Sequence, residues 1–110
     1  MAIYEKLMSA FDARDVSKTL EFYHSDYEFV RHQTNTVLSL AEWTPMMEGM
    51  MASDKWKMES SRCVYENDDI LVAHSVMSFP DDTKESVIVV HTKKDGKIIR
   101  SETGATLIKS

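Results

Sequence analysis

Residues 85–100, ESVIVVHTKKDGKIIR, hold two β-branched segments joined by Asp95-Gly96. Asp-Gly between such segments marks a two-residue hairpin, because both central positions of a type I′ turn need positive φ. Pairing Lys94 with Lys97 then fixes a register and predicts strands over about residues 85–92 and 97–108. Upstream, residues 70–79 and 56–65 have the same character, separated by the turn stretches Pro80-Asp81-Asp82 and Glu66-Asn67-Asp68-Asp69. The second half of the chain therefore reads as a four-strand antiparallel meander.

The first half has a different period. Ile3, Leu7, Ala10 and Phe11 recur at i, i+4, i+7 and i+8, an apolar helical stripe. Asp15 is placed to cap a second segment, with Val16, Leu20 and Tyr23 on one face. From Tyr27 the spacing becomes two: Tyr27, Phe29 and Arg31 share one side of a strand. Val37, Leu38 and Leu40 suggest a short returning strand. Ser39-Leu40-Ala41-Glu42 is a capping box opening a helix that carries Trp43, Met46, Met47, Met50 and Met51. The expected class is α+β, with helices on one face of a sheet.

Composition narrows the partners. The chain has 110 residues, enough for one domain spanning 1–110, with 43% hydrophobic and 28% charged residues. Thirteen basic against eighteen acidic residues give a net charge of -5, which disfavours a nucleic-acid partner. One cysteine, Cys63, excludes a disulfide framework and a cysteine-rich zinc module. No segment has the roughly 20 apolar residues of a membrane span. The opening residues carry charge where a secretory signal needs an apolar core. A cytoplasmic, non-membrane protein is the default expectation.

Turn arithmetic assigns faces. Pairing Phe79 with Lys84 across Pro80 sets His74 opposite Val89, and the Asp-Gly turn sets His91 opposite Arg100. One face then carries Val72, His74, Val76, Val87, Val89, His91, Arg100 and Glu102. The other carries Leu71, Met77, Phe79, Ile88 and Val90. Helices can cover only one of two apolar faces, so a homodimer through Val72, His74, Val76, Val87, Val89 and His91 is expected.

Met8-Ser9-Ala10-Phe11-Asp12-Ala13-Arg14-Asp15-Val16, followed by Leu20-Glu21-Phe22-Tyr23-His24-Ser25-Asp26-Tyr27-Glu28-Phe29, resembles the opening of the NTF2-like (SnoaL-like) superfamily. The capping-box helix and the Asp95-Gly96 meander extend the resemblance over essentially the whole chain. It implies a cone: a curved antiparallel sheet with N-terminal helices packed on its concave face around a pocket, and dimers built on the convex face. The fold hosts isomerases, cyclases, dehydratases and binding domains, so it does not choose a function. On the ketosteroid isomerase pattern, Leu7 falls where the tyrosine donor would be. Arg31 replaces the aspartate base, and Ile88 the protonated aspartic acid. None of the three can do that chemistry.

The candidate pocket comprises Leu7, Phe11, Tyr27, Phe29, Arg31, Trp43, Met47, Met77, Ile88 and Val90. Arg31 shares strand parity with two aromatics and needs an anionic ligand, a carbonyl or a structural carboxylate if it is buried. The methionines, Met8 and Met58 included, are either core or a deformable pocket lining. His74, His91 and Glu102 suit an interfacial polar set better than a metal site, and no carboxylate has a strong reason to lie inside. No cofactor is expected. Three functions remain: binding a small carboxylate- or carbonyl-bearing molecule, an isomerase-, cyclase- or dehydratase-type reaction with Arg31 and Tyr23 or Tyr27, or a structural dimer with a filled interior.

Overall fold

The computed structural model describes residues 2–109. Its elements follow in the order α1 (Tyr4–Asp12), α2 (Val16–Leu20), β1 (Tyr23–Arg31), a 3-10 turn (His32–Thr34), β2 (Thr36–Ser39), α3 (Leu40–Ala52), β3 (Lys57–Glu66), β4 (Ile70–Ser78), β5 (Lys84–Lys94) and β6 (Lys97–Leu107). The caps work as expected. The Asp15 side chain accepts from the Lys18 amide, and Ser39 and Glu42 form a reciprocal capping box.

Arg14, between the first two helices, has φ 55°. Its guanidinium donates to the carbonyls of Met51 and Ser53 (2.9 Å each) and Trp56 (2.5 Å). One side chain thus fastens the α1–α2 corner to the end of α3, where helix carbonyls lack intrahelical partners.

The strands form one six-stranded sheet in the order β2-β1-β6-β5-β4-β3. Two expectations about it are corrected. The sheet is mixed, because β1 runs parallel to β6. Hairpin signals report only sequential neighbours, and these two strands are distant in sequence. Nor is the sheet strongly curled, so α1 and α3 pack on one face of an open sheet whose edges are β2 and β3, not inside a curved antiparallel cone. No helix of the described residues is long and apolar enough to cross a membrane.

The Asp95-Gly96 turn behaves as predicted: Lys94 pairs Lys97, with φ of 53° and 78° between them. The Pro80 turn is one residue longer in reach than expected. Ser78 pairs Lys84, and Asp82 takes a left-handed φ of 66° while its amide donates to the Phe79 carbonyl. His74 therefore faces Ile88, and Ala73 faces Val89. A bulge between Thr92 and Lys93 shifts the next pairing too, so His91 meets Ser101 instead of Arg100. The two shifts cancel for β6 and leave β5 alone reversed.

Val87, Val89 and His91 consequently face the helices, while Ile88 and Val90 share the outer face with Val72, His74 and Val76. Val87 and His91 are buried, and Ile88 is 52% exposed. The expected interface loses three of its residues, and the expected pocket loses two. Urea unfolding checks this register. Val87→Asp should cost about 4 kcal/mol or more, as a charge forced into the core does. Ile88→Asp should change the folding of the individual subunit by about 1 kcal/mol at most.

Candidate functional site

The apolar stripes meet beneath the helices. Ile3 just before α1, Leu7 of α1, and Trp43, Met47 and Met51 of α3 pack with Tyr23, Tyr27, Trp56, Leu71 and Ile98. Trp43 is the hub: its ring lies 4.8 Å from Tyr23, 5.1 Å from Tyr27 and 6.2 Å from Phe29, the last stacked. These spacings fall in the favourable range for aromatic pairs. Burial pushes the Tyr23 phenol well above its ordinary pKa and raises Tyr27 as well, so both stay protonated. The result is a packed hydrophobic and aromatic cluster between helices and sheet.

Of the candidates read from sequence, Leu7, Tyr27, Phe29, Trp43 and Met47 come together there, and Phe11 and Met77 pack against the cluster. Ile88 and Val90 do not, for the register reason above. Arg31 lies at the far end of the inner sheet face, and its guanidinium is already matched: Glu85 at 3.1 Å and Gln33 at 2.9 Å. The Glu85 side chain is only 9% exposed. The carboxylate that sequence reasoning did not expect inside is therefore there, hidden by the one-residue slip that sent β5 to the wrong face.

The same slip hid a second polar group. The Lys93 ammonium, 1% exposed, lies 2.7 Å from Glu66 and donates also to the Asn67 carbonyl. Glu66 in turn accepts the backbone N–H groups of Ile3 (2.7 Å) and Tyr4 (3.3 Å) at the start of α1. Burial opposes its charge, but the ammonium and the two amides outweigh burial and hold its pKa below the usual carboxylate value. Nearby, His91 Nδ1 and Ser101 Oγ share a 2.6 Å hydrogen bond, and Ser101 also bonds Tyr27. His74 and Glu102 lie on the opposite face, so the three residues weighed for a metal do not converge.

Beside this cluster the surface is indented between α1 and the edge strand β3. A cleft of about 350 Å³ is lined by Tyr4, Glu5, Met8, Ser9 and Asp12 of the helix and by Met58 and Ser61 of the strand. The Tyr4 hydroxyl and Ser61 Oγ share a 2.7 Å hydrogen bond, and Ser75 Oγ donates to Ser61 at 3.1 Å. A second cleft of about 300 Å³ shares Asp12 and Met58 with the first and is lined also by Phe11, Arg14, Trp56, Lys57 and Glu59. Met8 and Met58, weighed in the sequence as deformable lining, do line the first cleft. Tyr4, Ser61 and Trp56 were missed: a helix-start tyrosine and an edge-strand serine carry no sequence signal that they will meet.

A family model described as a SnoaL-like domain matches residues 4–101, nearly the whole chain. The chain belongs to the SnoaL-like family. Solved structures agree on the fold of this SnoaL-like domain. A Kribbella flavida protein described provisionally as a ketosteroid isomerase superposes with a TM-score of 0.80 at 12% identity, covering 98% of this chain and 78% of that one. A SnoaL-like protein of unknown function from Burkholderia thailandensis gives 0.74 at 11% identity, covering 94% and 92%. An NTF2-like protein of unknown function from Cytophaga hutchinsonii gives 0.73 at 8%, covering 94% and 87%. No curated protein matches the sequence at a significant level. Identities this low establish the fold of the SnoaL-like domain and no more.

The buried histidine makes stability pH-dependent. Burial, with the Lys93 charge assisting and Glu66 opposing, lowers the His91 pKa from 6.5 to about 4. The unfolded chain binds this proton first, so the contribution is complete above about pH 6.5 and is lost as pH falls towards 4. Its full size is about 3 kcal/mol. Urea midpoints measured between pH 7 and 4 should fall accordingly, and His91→Gln should flatten that slope.

Proposed function

We propose that this SnoaL-like domain binds a small, uncharged, mainly apolar molecule carrying a carbonyl or hydroxyl oxygen in the cleft between α1 and β3. The cleft itself carries the reading. Its volume, about 350 Å³, lies within the range of small-molecule sites. Met8 and Met58 offer an adaptable apolar wall, and the Tyr4–Ser61–Ser75 hydroxyl chain offers a polar one.

Of the carboxylate and carbonyl ligands that Arg31 suggested, the surroundings favour the carbonyl. Glu5 and Asp12 line the cleft and repel an anion, while Arg31 is outside it and already paired with Glu85. An isomerase-type reaction finds less support. Tyr23 and Tyr27, its candidate proton donors, are sealed in the aromatic cluster. Acetophenone should raise the melting temperature in a dose-dependent way, whereas benzoate should not. Met58→Trp should fill the cleft and cut acetophenone affinity at least tenfold, about 1.4 kcal/mol, with the fold retained. Preference for benzoate, or undiminished binding by the filled variant, would contradict the reading.

We infer also that the outer sheet face pairs with a second copy of the chain. Exposed Ile88 and Tyr65 sit there with half-buried Val72, Val76 and Val90. Arg100 on the same face meets Glu28 at 2.8 Å and Glu102 at 3.6 Å. Charges of both signs around an apolar centre are self-complementary under a two-fold axis. Sedimentation equilibrium at micromolar concentration should return twice the chain mass, and Ile88→Asp should halve it.

A further inference from the structure

Gly104 stands on the outer sheet face inside β6, and nothing in its backbone asks for glycine. It pairs with Ile88, flanked by the regular pairs Thr103–Val89 and Ala105–Val87. Its φ is not positive, in contrast to that of Gly96. A Cβ built on it meets no atom within 4 Å outside its chain neighbours. Glycine inside a strand weakens that strand, and it persists chiefly at a bulge, a bend or a close approach by another molecule. The irregularity between β5 and β6 lies elsewhere, at Thr92–Lys93. A close approach is the remaining use.

Directly across the ladder from this hollow is Ile88, the exposed knob at the centre of the same face. Cross-strand partners lie about 4.5–5.5 Å apart. A two-fold axis running along the strands, between β5 and β6, exchanges the two positions. It sets Ile88 of one copy over Gly104 of the other, and the reverse contact closes in the same step, as isologous association requires. Side chains interdigitating in this way fill the gap between two sheets packed face to face. An unrelated partner would have to bring a knob and a hollow of its own at the same spacing. The neighbouring charges are already matched within the chain: Arg100 meets Glu28 and Glu102, and Glu102 shares a hydrogen bond with His32.

We propose that Ile88 and Gly104 are the interlock of the dimer, each Ile88 side chain seating in the hollow that Gly104 leaves on the other copy. The inference rests on the pairing of outer faces inferred above and adds the contact that sets its register. Glycine at 104 keeps that seat open.

Sedimentation equilibrium on the native protein and three variants tests the interlock, with far-UV circular dichroism to follow folding. Gly104→Ile should leave the subunit folded, because a Cβ has room there and β-branched residues suit strands. It should weaken the dimer about a hundredfold, since two isoleucines now collide at each seat. Ile88→Gly should weaken it about tenfold through the lost contact. The exchange variant, carrying Ile88→Gly and Gly104→Ile together, restores one knob and one hollow per seat and should dimerise within about tenfold of the native protein. Undiminished dimerisation of Gly104→Ile, or an exchange variant no tighter than Gly104→Ile alone, overturns the interlock and leaves the outer-face dimer standing. An unfolded Gly104→Ile subunit overturns it as well, because the hollow would then not be open. A native protein that is monomeric at micromolar concentration overturns the dimer and the interlock with it.

Discussion

The buried carboxylate of Glu66 is the contact on which the rest of the site depends. It joins three pieces that the chain order keeps far apart: the start of α1, the end of β3 and Lys93 of β5. Two amide donors and one ammonium surround it, which is the arrangement a buried charge requires. Because Tyr4 is one of the residues so held, the same contact sets where its phenol reaches Ser61. The width of the α1–β3 cleft is thus fixed at one end by Glu66. At the other end Arg14 performs the same office, tying the α1–α2 corner to the carbonyls of Met51, Ser53 and Trp56.

Between those two fastenings the apolar core supplies most of the adhesion. Leu7, Met47, Leu71 and Ile98 are fully enclosed, and the four-ring aromatic cluster around Trp43 fills the centre. Room for another molecule remains where α1 meets an edge strand rather than where the core is deepest. An edge strand has one neighbour, and β3 carries two register irregularities along its length. Its side chains can therefore adjust without disturbing the sheet's centre.

The element order was legible because each signal was local. The period-three-and-four stripe of α1, the Ser39–Glu42 capping box and the Asp95-Gly96 turn each follow from residues a few positions apart. What escaped was set by features with weak local signatures. The loop at Pro80 turns on a left-handed Asp82, a residue type that tolerates that conformation without announcing it. The Thr92–Lys93 bulge has no sequence mark at all. Together they reversed β5, and with it the placement of Glu85, Val87, Ile88, Val89, Val90, His91 and Lys93. The parallel pairing of β1 with β6 was illegible for a related reason, since no turn connects them. At the site, the aromatic and methionine lining could be read from periodicity. The partners of Arg31 and Lys93 could not, because both are carboxylates that meet them only in the folded chain.

A crystal structure grown with acetophenone tests the central claim most directly. The account predicts ligand density between α1 and β3, against Met8 and Met58, with the outer sheet face and the Arg31–Glu85 pair untouched. Density beside Arg31 with the Glu85 contact broken, or a cleft closed by its own side chains while ligand lies elsewhere, would contradict it.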